Sequence, residues 1–283
     1  MAFSVTARTP TRDPRAPEVP AVRIPGQPGR LARYEGLLVG AASVLVFVAV
    51  WQVAAFRRVV PELFLPGPLD IGNAFAAYVA KGSIWPDMWI SGQELIYGFA
   101  LSIIVGLPLG MLMGWYKRLN QALDPFVTFF YSIPRVALTP LLIIWFGIGI
   151  NSKIAVVFLG AIFAILINTA AGVRNLDPAL IKAARSFGAN DAQLFRTVVL
   201  PGSVPFILTG LRLGLGHALT GVVVGELVAA QLGVGLMMAT AGATFQTSKV
   251  FVGLVIFATT GVVMTNILSR IEQRFQSWKT SPT

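Results

Sequence analysis

KAARSFGANDAQLFRTVVLP, Lys182 to Pro201, is a polar and basic interruption about two thirds of the way along a very apolar chain. Ala183 and Ala184 favour helix, Gly188 can take the positive φ that ends one, and Asn190 followed by Asp191 can cap the next. Pro201 is expected to stop that second helix before a new hydrophobic segment begins. The stretch therefore reads as a short helix, a turn and a second short helix. Its spacing is specific: Gly188 comes four residues after Ala184, and nine further residues lead to Val198 and then to Leu200 and Pro201. Small side chains at 183 and 184 leave room for the close approach of a partner.

What surrounds this interruption is membrane-like. The 283 residues are 55% hydrophobic and 12% charged, with mean hydropathy +0.73, whereas soluble proteins average about 25% charged. At roughly 20 residues per span, the chain suits an all-α, polytopic membrane domain of about six helices. It has no Cys, which removes disulfides and Cys-ligated metals, and one His, His217, which argues against a His-based metal site or a Ser-His-Asp triad. A net charge of +10 would suggest nucleic acid for a soluble chain. Here the basic residues flank apolar spans, so a bilayer explains them and no nucleic-acid partner is implied.

Residues 1–34, rich in Pro and Arg with no apolar run, read as a disordered basic tail rather than a signal peptide. Residues 35–278 form the membrane domain, and 279–283 a short tail. Six spans are expected: Gly36 to Phe56, Ser91 to Trp115, Leu123 to Phe146, Ile154 to Ala171, Ser203 to Ala229 and Val250 to Leu268. The third should be kinked or broken, because Pro134, Arg135 and Pro140 interrupt it. Gln231 to Ser248 reads as a Gly- and Ala-rich connection. With both termini placed in the cytoplasm, fifteen Lys and Arg fall on that side and five on the other, so the loop 174–201 is expected to be cytoplasmic.

The pattern at 182–201 resembles the EAA loop of ABC-importer permease subunits: Glu-Ala-Ala, three residues, Gly, nine residues, Ile, one residue, Leu-Pro. The chain departs from it with Lys182 in place of Glu and Val198 in place of Ile. Leu65-Pro66-Gly67-Pro68, Ser132-Ile133-Pro134 and Asn168-Thr169 resemble stretches of the nitrate, sulfonate and taurine permeases, over most of residues 60–278. The resemblance implies a type I importer fold in a bacterial cytoplasmic (inner) membrane. It implies that Lys182, Ala183, Ala184, Gly188, Leu200 and Pro201 meet a cytoplasmic ATPase. It also implies as partners two ATP-binding subunits, a second permease subunit in a homodimer and an extracytoplasmic solute-binding protein. The solute would be small and anionic. No Gly-Lys dipeptide, and so no phosphate-cradling Walker A loop, occurs in the chain; ATP and Mg would bind the partner subunits, and the chain itself is not expected to be an enzyme. The alternatives are a secondary transporter or channel working alone, which would need intramembrane coupling residues in inverted symmetry, and a membrane enzyme, which would need a catalytic constellation.

Three charges within spans are candidates for the translocation pathway: Arg135, Arg212 and Glu226. In the fifth span Gly210, Gly214, Gly221 and Gly225 fall within a ~60° stripe at about 100° per residue, a surface for close packing against another helix. Arg212 and Glu226 lie on the opposite face and need another partner or water, whereas His217 falls beside the stripe. That opposite face is expected to line a central path, with Glu226 at the outer gate and Arg212 nearer the cytoplasm.

Overall fold

The computed structural model describes residues 30–276. The proposed tails lie outside the described residues except for 30–34, which already belong to the first helix. The chain is all-α, with no strand among the described residues: α1 (Arg30–Phe56), α2 (Pro68–Ala80), α3 (Ile84–Trp115), α4 (Lys117–Ser132), α5 (Arg135–Phe146), α6 (Ile150–Arg174), α7 (Pro178–Ser186), α8 (Asp191–Leu194), α9 (Leu200–Ala229), α10 (Val234–Ala243) and α11 (Thr247–Gln276). It divides into a unit of residues 1–50, whose described part is α1 as far as Val50, and a unit of residues 51–283 that holds the last turns of α1 and all the other helices.

In the second unit α6 is the buried element, with Val157, Ala161 and Ile165 fully enclosed. Two glycine stripes clasp it. On α3 the residues Gly98, Ser102, Gly106, Gly110 and Gly114 recur every four positions, which on a helix puts them in one row. A Cβ at Gly98 would lie 2.5 Å from the Val157 Cβ, one at Gly110 2.6 Å from the Leu166 carbonyl oxygen, and one at Gly114 2.5 Å from the Val173 Cβ. Ser102, the one non-glycine in the row, donates to its own-turn Gly98 carbonyl and to the Phe158 carbonyl of α6. On α9 the stripe expected from spacing meets the other side of α6. A Cβ at Gly210 would lie 2.9 Å from the Asn168 Cβ, one at Gly214 2.9 Å from the Ile165 Cγ1, and one at Gly221 3.0 Å from the Val157 Cα. In lipid, where apolar side chains gain nothing by leaving water, such close approach is what holds helices together.

These contacts also fix direction. Along α3 the partners on α6 ascend, so the two run the same way; along α9 they descend, so α9 runs opposite. Trp115, Arg174 and Leu200 therefore share one end, where α7 and α8 are attached, while Glu94, Lys153 and Glu226 share the other.

Among the described residues five helices are long and apolar enough to cross a membrane, and α4 with α5 makes a sixth if a 98° bend counts as one broken span. The break falls at Ile133-Pro134, where Pro134 lacks the N–H a helix needs and holds Ile133 in an extended conformation. Two expectations need correction. Pro201 does not stop the second short helix: residues 191–228 run on as one helical segment through a π turn at Phe195–Val199. In that turn the Leu200 N–H reaches back to the Phe195 carbonyl, so the hydrogen-bond ladder has already shifted where Pro201 can donate nothing. The connection 231–248 is not irregular either; it contains α10, whose Gly and Ala content obscured a helix packed through Val234 and Met237 against Ile71 and Val252.

The stripe yields a paired test. Gly214→Leu is expected to lower the thermal stability of the purified chain by about 1–3 kcal/mol, because it overpacks against Ile165. Gly216→Leu, two residues on and with nothing within 4 Å of a Cβ, should leave the melting temperature nearly unchanged.

Candidate functional site

The motif segment folds locally, from its own caps. Asp177 accepts from the Ala179 N–H at 2.8 Å to start α7, and Pro178 takes the first helical position. Gly188 stands at φ +79, as its place after the alanines predicts, and the Ala189 N–H reaches the Ala184 carbonyl at 3.1 Å across the turn. Asn190 and Gln193 then form a reciprocal capping box at 3.0 and 2.9 Å, the device expected of Asn190 and Asp191 but completed by Gln193. Arg185 bridges to Asp191 at 2.9 Å across the turn, an exposed pair that orients more than it stabilises.

This unit has almost no core of its own. No residue of α7 is buried; Lys182 and Ala183 are exposed, Ala184 is half-buried, and Leu180 and Phe187 stand 56% and 92% exposed. An aromatic ring so exposed beside a strict glycine turn presents an apolar knob rather than a packing residue. At the far side of the segment, Val199 is buried against Met111, Val173 and Ile207, whereas Leu200 is 39% exposed and Pro201 is half-buried. The helix pair is thus tied to the bundle at its ends and open along its length.

The three pathway candidates are not brought together. Arg135 opens α5 at the 98° break, half-buried, with its guanidinium 5.8 Å from the Tyr131 ring centroid and in no ion pair among the described residues. His217 of α9 is also half-buried. Arg212 pairs with Glu272 of α11 at 2.6 Å, both side chains partly exposed, so its partner lies within the chain. Glu226, the third candidate, is enclosed by the chain's own helices. It is 0% exposed, accepts from the Ser91 hydroxyl at 2.5 Å and from the Gly235 N–H, and so sits on the N-terminus of α10. Ser91 in turn accepts from the Val234 N–H and Asp87 from the Gly233 N–H, both at 2.9 Å. A Cβ at Gly233 or Gly235 would collide with the Glu226 carboxylate, and Gly233 has φ +133; the Gly-Val-Gly sequence is what lets the acid in.

Sequence reading missed Glu94 and Lys153, which the fold buries beside Glu226. The available signal was the row Asp87, Ser91, Glu94: three polar side chains at helical spacing at the start of an apolar span.

Residues 106–277 match the family described as binding-protein-dependent transport system inner membrane component. The chain is 37% identical over 265 residues to a putative aliphatic sulfonates transport permease protein of Bacillus subtilis (strain 168), covering 94% of this chain and 95% of that one. It is 32% identical over 253 residues to the taurine transport system permease protein of Escherichia coli (strain K12), covering 88% and 91%. Among solved structures, the MetNI methionine ABC transporter in inward facing conformations superposes with a TM-score of 0.60 at 22% identity, over 66% of this chain and 93% of that one, a likeness of fold.

The turn itself can be tested in the isolated chain. Gly188→Val is expected to loosen the link between α7 and α8 by about 1–2 kcal/mol, since a β-branched residue resists φ +79 although space for its Cβ is open. Hydrogen exchange should show faster exchange at the Ala189 amide, with no change in the α6 amides.

Proposed function

The chain belongs to the binding-protein-dependent transport system inner membrane components, and from that premise we propose that it carries a sulfonate-like anion across the membrane and is driven through α7 and α8 by cytoplasmic ATPase subunits. It is a multi-pass permease component of an ABC importer, a transport subunit rather than an enzyme. The observation that supports the coupling role best is the exposed helix-turn-helix at one end of a glycine-locked bundle, with Phe187 at its tip. Lys182, Ala183, Ala184 and Gly188 are the contact surface of this reading, and Leu200 and Pro201 join it to the membrane helix. The excess of Lys and Arg on this side supports a cytoplasmic location for this end and for both termini.

The rest of the assembly follows from the same premise. Two ATP-binding subunits hold the ATP and Mg, a second copy of the permease completes the path, and a solute-binding protein delivers at the end where α10 sits. The sulfonate and taurine permeases it is similar to suggest an anionic solute, and Arg135, a cation at the helix break in no ion pair among the described residues, is suited to attract one.

Full-chain protein should co-purify with an ATPase from its native membrane. Phe187→Ala and Gly188→Trp should each abolish that association and solute-stimulated ATP hydrolysis while leaving the chain folded. Lys182 replaces the acid of the family pattern, so its counterpart on the ATPase is expected to be acidic or neutral; a Lys182→Glu protein that assembled better than the parent would contradict this. For the solute, reconstituted vesicles should accumulate taurine or an alkanesulfonate in an ATP-dependent manner, with uptake lowered at least tenfold by Arg135→Gln. Retained ATPase binding and unchanged uptake in these variants would overturn the reading.

A further inference from the structure

At the end of the bundle away from α7 and α8, α3 presents Asp87, Ser91 and Glu94 on one face. Glu94 is 0% exposed, and neither of its carboxyl oxygens has a hydrogen-bond donor. The Lys153 ammonium lies 3.8 Å from Glu94 Oε1, beyond hydrogen-bond distance, and donates instead to the Gly149 carbonyl at 3.2 Å. One turn before Glu94 on the same face of α3, the Ser91 hydroxyl holds the Glu226 carboxylate at 2.5 Å, which brings the two acids into one layer. The two acids are treated very differently. Glu226 receives the Ser91 hydroxyl, the Gly235 N–H and the positive end of α10, all of which favour an anion, whereas Glu94 receives no donor.

Charge balance points the same way. Lys153, 5% exposed, supplies one buried positive charge, which neutralises one carboxylate. With both acids ionised, the cluster would keep an uncompensated negative charge inside a membrane helix bundle, and the two like charges would adjoin. One proton removes both difficulties. It lets the Glu94 hydroxyl donate to Glu226 and leaves one carboxylate for one ammonium. Among the described residues no titratable group donates to Glu94. Asp87 is an acceptor from the Gly233 N–H; Tyr78 of α2 lies toward Asp87; Lys249 of α11 sits over the Tyr78 ring at 5.3 Å; α10 has no titratable residue.

The geometry points to a proton-binding site formed by Glu94 and Glu226, whose single shared proton fastens α10 to the end of the bundle opposite the coupling segment. Glu226 is the side chain on which the first turn of α10 rests, so repulsion from an ionised Glu94 falls on that anchorage. Proton occupancy and α10 docking are therefore linked. The site needs neither solute nor ATPase, and it stands apart from the transport reading above.

The experiment uses the purified full chain in lipid nanodiscs. Infrared difference spectra, wild type minus Glu94→Gln, should show the carbonyl stretch of one protonated carboxyl per chain at neutral pH, which disappears as pH is raised. Gln in place of Glu94 offers an N–H to Glu226 without a titrating proton, so this variant should fold. Glu226→Gln leaves a single carboxyl beside Lys153, which ionises it, and should lose the band as well. The wild-type melting temperature should fall as pH rises through the loss of the band, because the folded chain holds a proton that the unfolded chain releases. In Glu94→Gln that fall should be absent. Absence of the band from the wild type at neutral pH, its persistence in both variants, or an equal pH dependence of melting in wild type and Glu94→Gln would overturn the site.

Discussion

Close approach of backbones on both faces of α6 is the constraint on which the rest of the structure depends. A single helix of 25 residues is pressed by α3 on one side and α9 on the other, at separations that a side chain on either stripe would prevent. Bilayer lipid is as apolar as leucine, so burial of apolar area does not choose between helix and lipid neighbours; packing density does. Rows of glycine with one Ser102 turn α3 and α9 into smooth surfaces, and the branched side chains of Val157, Ile162 and Ile165 on α6 fill the space they leave. The register of this three-helix sandwich then decides everything at its two ends. A slip of one turn would draw Lys153 away from Glu94 and Glu226 from the α10 N-terminus together.

Because register is so tightly held, polar groups can be placed inside. Asp87, Ser91, Glu94, Lys153 and Glu226 come from three helices far apart in sequence, yet they meet in one layer with the first turn of α10 as its lid. Buried charges in a membrane domain are tolerated where they pair or where backbone N–H groups meet them, and both devices operate here. Gly233 and Gly235 serve this layer as the stripe glycines serve the bundle, by keeping Cβ atoms out of the space that the Glu226 carboxylate occupies. At the opposite end the polar groups are on the surface instead. Arg185, Asp191, Asn190 and Gln193 shape a turn exposed on both sides.

What the sequence disclosed follows from this division. Spans, the break at Pro134, the Gly188 turn and the Gly210–Gly225 stripe were legible because each depends on local chemistry: uncharged length, a missing N–H, a positive φ, helical spacing. The fate of Pro201 was not, since a proline preceded by a π turn is compatible with a continuous helix and nothing local distinguishes the two cases. The charges were the least legible. Helical spacing set Glu226 apart from the glycine stripe, but what that side chain meets depends on Ser91 of α3 and the first turn of α10, and α10 itself hides in a Gly- and Ala-rich run. Glu94 carries no sequence signature beyond its spacing from Asp87 and Ser91, because its importance comes from Lys153 and Glu226, which lie 59 and 132 positions away.

Continuity of the helix from residue 191 to residue 228 joins the two ends mechanically. From the capping box at Asn190 to Glu226 is one run of about 50 Å at 1.5 Å per residue, interrupted in its hydrogen-bond ladder by the π turn and by Pro205 but not broken. Had Pro201 ended the second short helix, displacement of the exposed segment could have been absorbed by a flexible joint. As built, α8 cannot shift without shifting α9, and α9 is held to α6 by its glycine stripe. A pull at α8 must then either slide α9 along α6, which the close contacts at Gly210, Gly214 and Gly221 resist, or carry α6 and α9 together as one body. The second requires the least repacking, and in the proposed importer it delivers motion from the ATPase end to the layer where Glu226 holds α10. The acid is thus placed at the far end of the lever that the coupling segment would move.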